Sequence, residues 1–598
     1  MPLVDRVARH TLIASLLVSL AACGDAPQSE ASDGEWDAIA TGKADGAVDP
    51  DSAEAQAVLL LVNNPEVDLD ELDHDARLDA RAARNIIAHR NADGIWGTDD
   101  DNPIDDIPEL DAIRFVGPSA FSRLVDYAVA EGYLELVDDG DDGEVMTDVV
   151  FSPQPSDATH NLRVASLIDE AQESIDIAMY SYSSGTVRAA LEAAAARGVE
   201  IRFLFETASD DRRLDGDDLQ ASRSGQLEAH GIDVRWVNKI MHHKFMIIDG
   251  PRSDLSAAAT ATIASGSANW SNSAGTRYDE NTLFLRGHEE VALRLQQEFN
   301  HLWEHSRALE ANPDLQWELS ELEISDADIT DGDDSHVYFT SENFDVSPGG
   351  DTFRKNGGNE VSDALIEAIE GATDSIHVAS GHLRHRGISE AIMAAKANDP
   401  DLEVRVYLDA QEYISAFTHD LQLDDLDDCL AEANTPTQIR NCMDKGFRFG
   451  FQMGESGVDV RYKWYSYRWH YSYAAQMHHK YMVIDGDELW TGSYNLSDNA
   501  EHNTFENMMV FRGDAYADLV ASYEQNFETL WETGRADDLL GDVRNEIANS
   551  DIVPMVFESM SLEHEEVRQL KSLILERCPQ ANSEDFRRNP QDHLVCHR

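Results

Sequence analysis

Apolar and polar positions change period several times along this chain, and the changes mark its elements. Residues 174–180 run Ser-Ile-Asp-Ile-Ala-Met-Tyr, a two-residue alternation that predicts a strand. A helical period follows over 186–197, and Val-Glu-Ile-Arg-Phe-Leu-Phe at 199–205 predicts a second strand. The same order returns later, with a strand at 375–379, a helix at 387–397 and a strand at 402–408. Each series closes on a helix of matching signature, Gln-Glu-Phe-Asn-His-Leu-Trp at 297–303 and Gln-Asn-Phe-Glu-Thr-Leu-Trp at 525–531. Alternating strands and helices predict α/β layers, and their recurrence predicts one α/β domain present twice, over 149–310 and 335–540.

Other stretches read differently. Ala83, Ile86, Ile87 and Arg90 stand at helical spacing, as do Leu110, Ile113, Phe121 and Leu124 around the turn Val116-Gly117-Pro118. These predict a small helical domain over 52–135. It resembles the helix-hairpin-helix modules that hold DNA backbones through turn amides. That family's paired glycines would fall at Phe115 and Gly117, so one is missing. With Asp99, Asp100, Asp101, Asp105 and Asp106 close by, a spacer is favoured over a DNA clamp. Residues 138–144 form an acidic linker, and 541–598 a C-terminal extension.

The first 22 residues read as a secretory leader. Arg6, Arg9 and His10 precede an apolar run at 11–20, followed by Leu20-Ala21-Ala22-Cys23-Gly24. This resembles the lipobox of bacterial lipoproteins, in which Cys23 becomes the acylated first residue. Residues 23–50, rich in Ala, Asp, Ser and Gly, then serve as a flexible tether. No stretch reaches the roughly 18 apolar residues that spanning needs. The expectation is a periplasmic or cell-surface protein anchored to a membrane rather than threaded through it.

With 598 residues the chain has room for about four domains. Its 42% hydrophobic content suffices for several cores. The net charge of −68 serves solubility and repels nucleic acid and anionic bilayers at long range. Beyond Cys23 the cysteines are Cys429, Cys442, Cys578 and Cys596. An even number in an exported chain favours disulfides, and neighbours pair most simply as Cys429–Cys442 and Cys578–Cys596. Zinc is the alternative, without a Cys-x-x-Cys spacing to support it.

The chemistry lies in two nearly identical segments, Met241-His-His-Lys-Phe-Met-Ile-Ile-Asp-Gly250 and Met477-His-His-Lys-Tyr-Met-Val-Ile-Asp-Gly486. Each is followed by Gly-Ser-x-Asn, placing Ser267 and Asn269 after the first and Ser493 and Asn495 after the second. Both segments are apolar enough to be strands. Strand parity then sets His242 with Lys244 and His478 with Lys480 on one face, and turns His243 and His479 to the other. Asp249 and Asp485 have the opposite parity and read as strand-end residues that fix geometry. Glu280 and Glu506 follow their serines at equal distance and are candidates to hold the second imidazole nitrogen, one orienting acid to each half.

These residues are similar to the signature of the phospholipase D superfamily, His-x-Lys-x4-Asp-x6-Gly-Ser-x-x-Asn or a close variant. Six residues separate Asp485 from Gly492, as in that pattern; sixteen separate Asp249 from Gly266, so the first copy carries a lengthened loop that bears on the shape of the entrance. The resemblance implies two tandem phospholipase D-type α/β sandwich domains packed as a pseudo-dimer, with one site of His242, Lys244, Asp249, Ser267, Asn269, Glu280, His478, Lys480, Asp485, Ser493, Asn495 and Glu506. It implies that His242 attacks phosphorus and His478 donates the leaving-group proton; near-symmetry permits the reverse. The lysines, asparagines and serines then neutralise the phosphoryl oxygens, and no cofactor or metal is required.

Eight of the thirteen residues in 461–473 are aromatic or histidine, with three basic residues interleaved. They read either as a hairpin packed on the core or as a lining for a choline-type headgroup, a membrane interface or nucleic-acid bases. The expected partner is a phospholipid at a membrane surface, with a nuclease as the alternative and a monomer as the assembly.

Overall fold

The computed structural model describes residues 58–90, 104–130 and 145–597, with short interruptions, chiefly within 313–333 and at 444–445. The leader (1–22), the tether with Cys23, all five aspartates near residue 100 and the linker at 138–144 lie outside the described residues. Two compact units emerge, Met1–Leu134 and Glu135–Arg598.

The first unit packs Ala80–Arg90, Ile107–Ala112 and Pro118–Ala130 around Leu61, Ile86, Leu110, Phe121 and Leu124. Phe115 takes a left-handed φ of 73°, at the place where the helix-hairpin-helix pattern would set its missing glycine. The guanidinium groups of Arg81 and Arg114 lie 4.4 and 4.7 Å from its ring.

The second unit holds two eight-stranded sheets of the same strand order. Edge to edge, the first runs Met146–Ser152, Glu280–Arg286, Thr262–Gly266, Lys244–Ile248, Ser174–Met179, Glu200–Phe205, Asp233–Trp236 and Arg307–Ala308. The other runs Ser335–Phe339, Asn507–Arg512, Glu488–Gly492, Lys480–Ile484, Ser375–Ser380, Glu403–Asp409, Asp459–Ser466 and Val556–Glu563. In each, the parallel run at 174–179 and 200–205, or 375–380 and 403–409, meets an antiparallel strand that begins at the motif lysine.

Alternation in the first sheet does not mark a solvent face, because all of Ser174–Met179 is buried. Its polar position, Asp176, instead pairs with Arg202 at 2.6 Å and Arg252 at 2.5 Å. The helices bearing the two Trp signatures, Glu289–Glu304 and Ala517–Trp531, contribute to a core shared by the halves. Phe245, Phe299 and Trp303 of one half join Tyr481, Tyr523 and Trp531 of the other in a single apolar cluster. That shared core joins the two sheets.

Two features depart from the sequence reading. The strand Val556–Glu563 pairs antiparallel with Asp459–Ser466 and forms the edge of the second sheet, so that domain does not stop at 540. Between Glu403–Asp409 and Asp459–Ser466 stands a helical insertion, Ala416–Glu432 and Pro436–Met443, bridged by Cys429–Cys442. Cys578–Cys596 closes the C-terminal region, so the four described cysteines are all held in disulfides rather than as zinc ligands.

Candidate active site

Each His-x-Lys motif is built by both halves. Ahead of the first, Ile240–Met241 pairs in parallel with Thr504–Phe505, and the His242 amide donates to the Phe505 carbonyl at 3.0 Å. On the other side the His478 amide donates to the Asp279 carbonyl at 2.9 Å. Phe505 and Asp279 immediately precede Glu506 and Glu280, so this pairing carries each glutamate across the seam. His242 Nδ1 meets Glu506 Oε2 at 2.7 Å, and His478 Nδ1 meets Glu280 Oε1 at 2.7 Å. One orienting acid within each half was expected; the acids are exchanged instead. With Nδ1 held, each ring turns Nε2 toward the substrate side.

The lysines lie beside the rings. Lys244 Nζ is 3.2 Å from His242 Nε2 and 2.8 Å from its carbonyl oxygen; Lys480 Nζ donates to the His478 carbonyl at 2.6 Å and lies 3.2 Å from its Nδ1. Asn269 and Asn495 each leave a buried side-chain carbonyl oxygen without a hydrogen-bond partner.

The serines do something other than expected. Ser267 and Ser493 donate to Glu280 and Glu506, both at 2.7 Å, and accept from the amides of Asn281 and Asn507. A hydroxyl has one proton, so neither has one left for a phosphoryl oxygen. They fix the glutamates that fix the imidazoles. Thr504 adds a third hydrogen bond to Glu506, at 2.9 Å.

Asp249 and Asp485 stand at the far ends of their strands, away from the motif histidines. Asp249 accepts from the amides of Gln172, Glu173 and Ser174, and Asp485 from those of Thr373, Asp374 and Ser375. Both take left-handed φ values, 50° and 53°. They stitch the hairpin to the neighbouring strand, so their place in the catalytic set is withdrawn. The lengthened loop of the first copy lies at that same end, beyond the Ile248–Thr262 pair, and so does not shape the entrance.

His243 and His479 point away as parity predicts. His243 lies 3.3 Å from Asn507 and 3.1 Å from Glu298. His479 accepts from Asn281 at 3.0 Å, and burial, followed by Lys463 and Lys480, pushes it well below the usual imidazole range.

Of the aromatic run, Tyr462, Trp464, Tyr465 and Tyr467 are core residues, and Tyr471 is 54% exposed. Lys463 is spent on Asp279 at 2.7 Å. The run packs mainly on the core and the C-terminal region, where Tyr467 donates to Asn582.

Several participants escaped the sequence reading. Glu206 and Asp409 each accept the amide just before a motif histidine, from Met241 at 2.7 Å and Met477 at 2.9 Å. Burial pushes them up to about 7 and about 6. Their signal was available: each directly follows the apolar run of its predicted strand. Tyr180 sets its ring edge-on to His242, centroids 4.7 Å apart, and beneath Lys244 at 5.2 Å. Its counterpart is Gly381, as the amides of both donate to the second histidine of their motif. A Cβ at Gly381 would lie 2.7 Å from the Met477 carbonyl oxygen. The His478 side chain is 14% exposed and that of His242 3%, so the site is open on the His478 side.

Duplicated α/β sheets meeting at paired His-x-Lys motifs with exchanged glutamates define a phospholipase D-like architecture. Residues 164–303 and 365–531, just over half of the sequence, match the family model described as "Cardiolipin synthase, PLD-like domain". The chain belongs to this family, within the phospholipase D superfamily. Curated relatives include the mitochondrial cardiolipin hydrolases of Canis lupus familiaris and Homo sapiens, each 32% identical over 136 residues. Those matches cover 22% of this chain and 46% and 47% of theirs. A phospholipase D of Rickettsia conorii is 28% identical over 137 residues, 23% of this chain and 61% of that protein. The chain thus spans about half the length of the curated relatives it matches. Among solved structures, phosphatidylserine synthase from Haemophilus influenzae aligns with 75% of this chain and 94% of that one, at 11% identity and a TM-score of 0.41. The phospholipase D family member Nuc from Salmonella typhimurium aligns with 33% and 93%, at 19% identity and a TM-score of 0.20.

Proposed function

We propose that this protein is a phosphodiesterase that removes the headgroup from glycerophospholipids, leaving phosphatidic acid or passing the phosphatidyl group to another alcohol. The observation that carries the reading is the exchange of glutamates, which makes two motifs into one site. His242 attacks phosphorus through Nε2, and the phosphorus–oxygen bond to the headgroup breaks as His478 gives that oxygen a proton. His478, now neutral, takes a proton from water or an alcohol, whose oxygen displaces His242 from phosphorus. Glu506 and Glu280 hold the tautomers and stabilise each imidazolium in turn. Lys244 and Lys480, with the Asn269 and Asn495 amides, offset charge on the non-bridging oxygens.

The same reading places the chain at a membrane surface through an acylated Cys23, which supports a lipid substrate over a nucleic acid. Radiolabelled palmitate retained by wild type and lost in Cys23→Ala tests the anchor. Phosphatidic acid release from phosphatidylcholine or phosphatidylglycerol vesicles in EDTA tests the activity. Nicking of plasmid without release of phosphatidic acid would overturn it in favour of a nuclease.

A further inference from the structure

The two glutamates that hold the motif histidines are placed alike but bonded unequally. Among the described residues, the Glu280 carboxylate accepts from two donors, His478 Nδ1 and Ser267 Oγ. That of Glu506 accepts from three: His242 Nδ1 and Ser493 Oγ meet Oε2, and Thr504 Oγ1 meets Oε1 at 2.9 Å. Thr504 Oγ1 also lies 3.1 Å from the Ala500 carbonyl oxygen; with one proton to give, it favours the nearer, charged acceptor. Tyr278 stands at the matching place before Glu280, and its hydroxyl accepts from Arg277.

A local departure from symmetry fixes the threonine. In the first sheet Ser152 pairs with Glu280, so the ladder runs up to the glutamate. In the second it ends one pair earlier, at Phe339 and Asn507. Thr340 takes over there: its hydroxyl donates to the Thr504 carbonyl and accepts from the Glu506 amide, both at 2.8 Å. Thr340, Thr504 and Glu506 are all buried, so solvent does little to screen these bonds. The lysines differ too. Lys244 Nζ lies 3.2 Å from Nε2 of His242, whereas Lys480 Nζ lies 3.2 Å from Nδ1 of His478.

We propose that Thr504 is a positioning residue that divides the labour between the two histidines: its hydroxyl makes Glu506 the weaker partner, keeping His242 neutral while His478 holds its proton. This rests on the phosphodiesterase reading of the two histidines. A carboxylate that shares its charge among three donors stabilises an imidazolium less than one that serves two. His242 then gives up its proton at a lower pH than His478 and is ready to attack phosphorus. Glu280, with two donors, holds the His478 imidazolium, the form that protonates the leaving oxygen. The Lys244 ammonium beside Nε2 opposes a proton there and works in the same direction. Glu206 and the edge-on Tyr180 also face His242; His243 and Glu298 stand across the strand, and Tyr494 faces Glu506. A substitution at Thr504 leaves all of these in place.

The test follows kcat/KM of the full chain on bis(4-nitrophenyl) phosphate across pH. A site that needs neutral His242 and protonated His478 gives a bell, with His242 on its acid limb. Thr504→Val removes the hydroxyl and keeps the shape. Its acid limb should move up by about half to one pH unit, part of the strength of one hydrogen bond to a charged group, while the basic limb stays. Thr504→Ser, which restores the hydroxyl, should return the wild-type profile. A valine variant that only lowers the bell without moving it, a shift of the basic limb instead, or a serine variant that shifts as far as valine would overturn the proposal. A wild-type chain that does not turn over this ester defeats the phosphodiesterase reading instead. Proton titration of the His242 ring by NMR, assigned by the signal lost in His242→Ala, then judges Thr504 without turnover. Thr504→Val should raise its midpoint by the same amount, and an unchanged midpoint rejects the role.

Discussion

At the scale of single residues the chemistry depends on where protons are held. Glu506 and Glu280 each accept from an imidazole and a serine hydroxyl, so replacing one by Gln disturbs the tautomer of the histidine in the opposite half. Glu506→Gln should lower kcat by about 10²–10⁴-fold, the scale of losing an orienting carboxylate. Because Glu506 acts through His242, the double variant with His242→Ala should be no slower than His242→Ala alone; additive losses would separate the two. Glu206 gives a pH signature. Burial raises its folded pKa to about 7 from an unfolded value near 4.3, so the folded state binds more protons between those values. Its contribution is full below about pH 4 and is lost as pH rises through 7. Glu206→Gln keeps an acceptor for the Met241 amide and removes the titration. Denaturant melts should therefore show the variant gaining on wild type as pH rises from 4.5 to 7.5, and parallel curves would refute this.

At the scale of elements, the strand pair that carries each motif is pinned at one end by chemistry and at the other by Asp249 or Asp485. Asp485→Ala removes acceptors for three backbone amides and a residue that tolerates positive φ. A stability loss of about 1–3 kcal/mol is expected, with kcat per folded molecule unchanged. A large kcat loss in fully folded protein would return this aspartate to the catalytic set. Sequence pattern revealed the strands, the duplication and the face bearing His242, Lys244, His478 and Lys480, because a two-residue period is a local property. The exchange of Glu280 and Glu506 was hidden, since it depends on the pairing of 240–241 with 504–505, which no local period encodes. The demotion of Ser267 and Ser493 follows from the same fact: a serine's role is set by where its proton goes. The run at 461–473 left core packing and a binding surface both open, because aromatic side chains suit either. The edge strand Val556–Glu563 escaped because it follows a helical stretch and returns to a sheet begun about 200 residues earlier.

At the scale of the whole molecule, the shared core of Phe299, Trp303, Tyr523 and Trp531 holds the two halves in the register that the exchanged acids need. The net charge acts over longer range. Approach to anionic vesicles should strengthen between 10 and 150 mM salt as the Debye length shrinks from about 30 to about 8 Å. Binding that weakens over this range would mean a local basic patch dominates. The central claim is that two motifs form one site, and counting the covalent intermediate tests it most directly. Wild type mixed with substrate, quenched in base and mapped by mass spectrometry, should carry one phosphohistidine per chain, at His242. Two phosphohistidines on one chain, or a phosphate on His243 or His479, would contradict it.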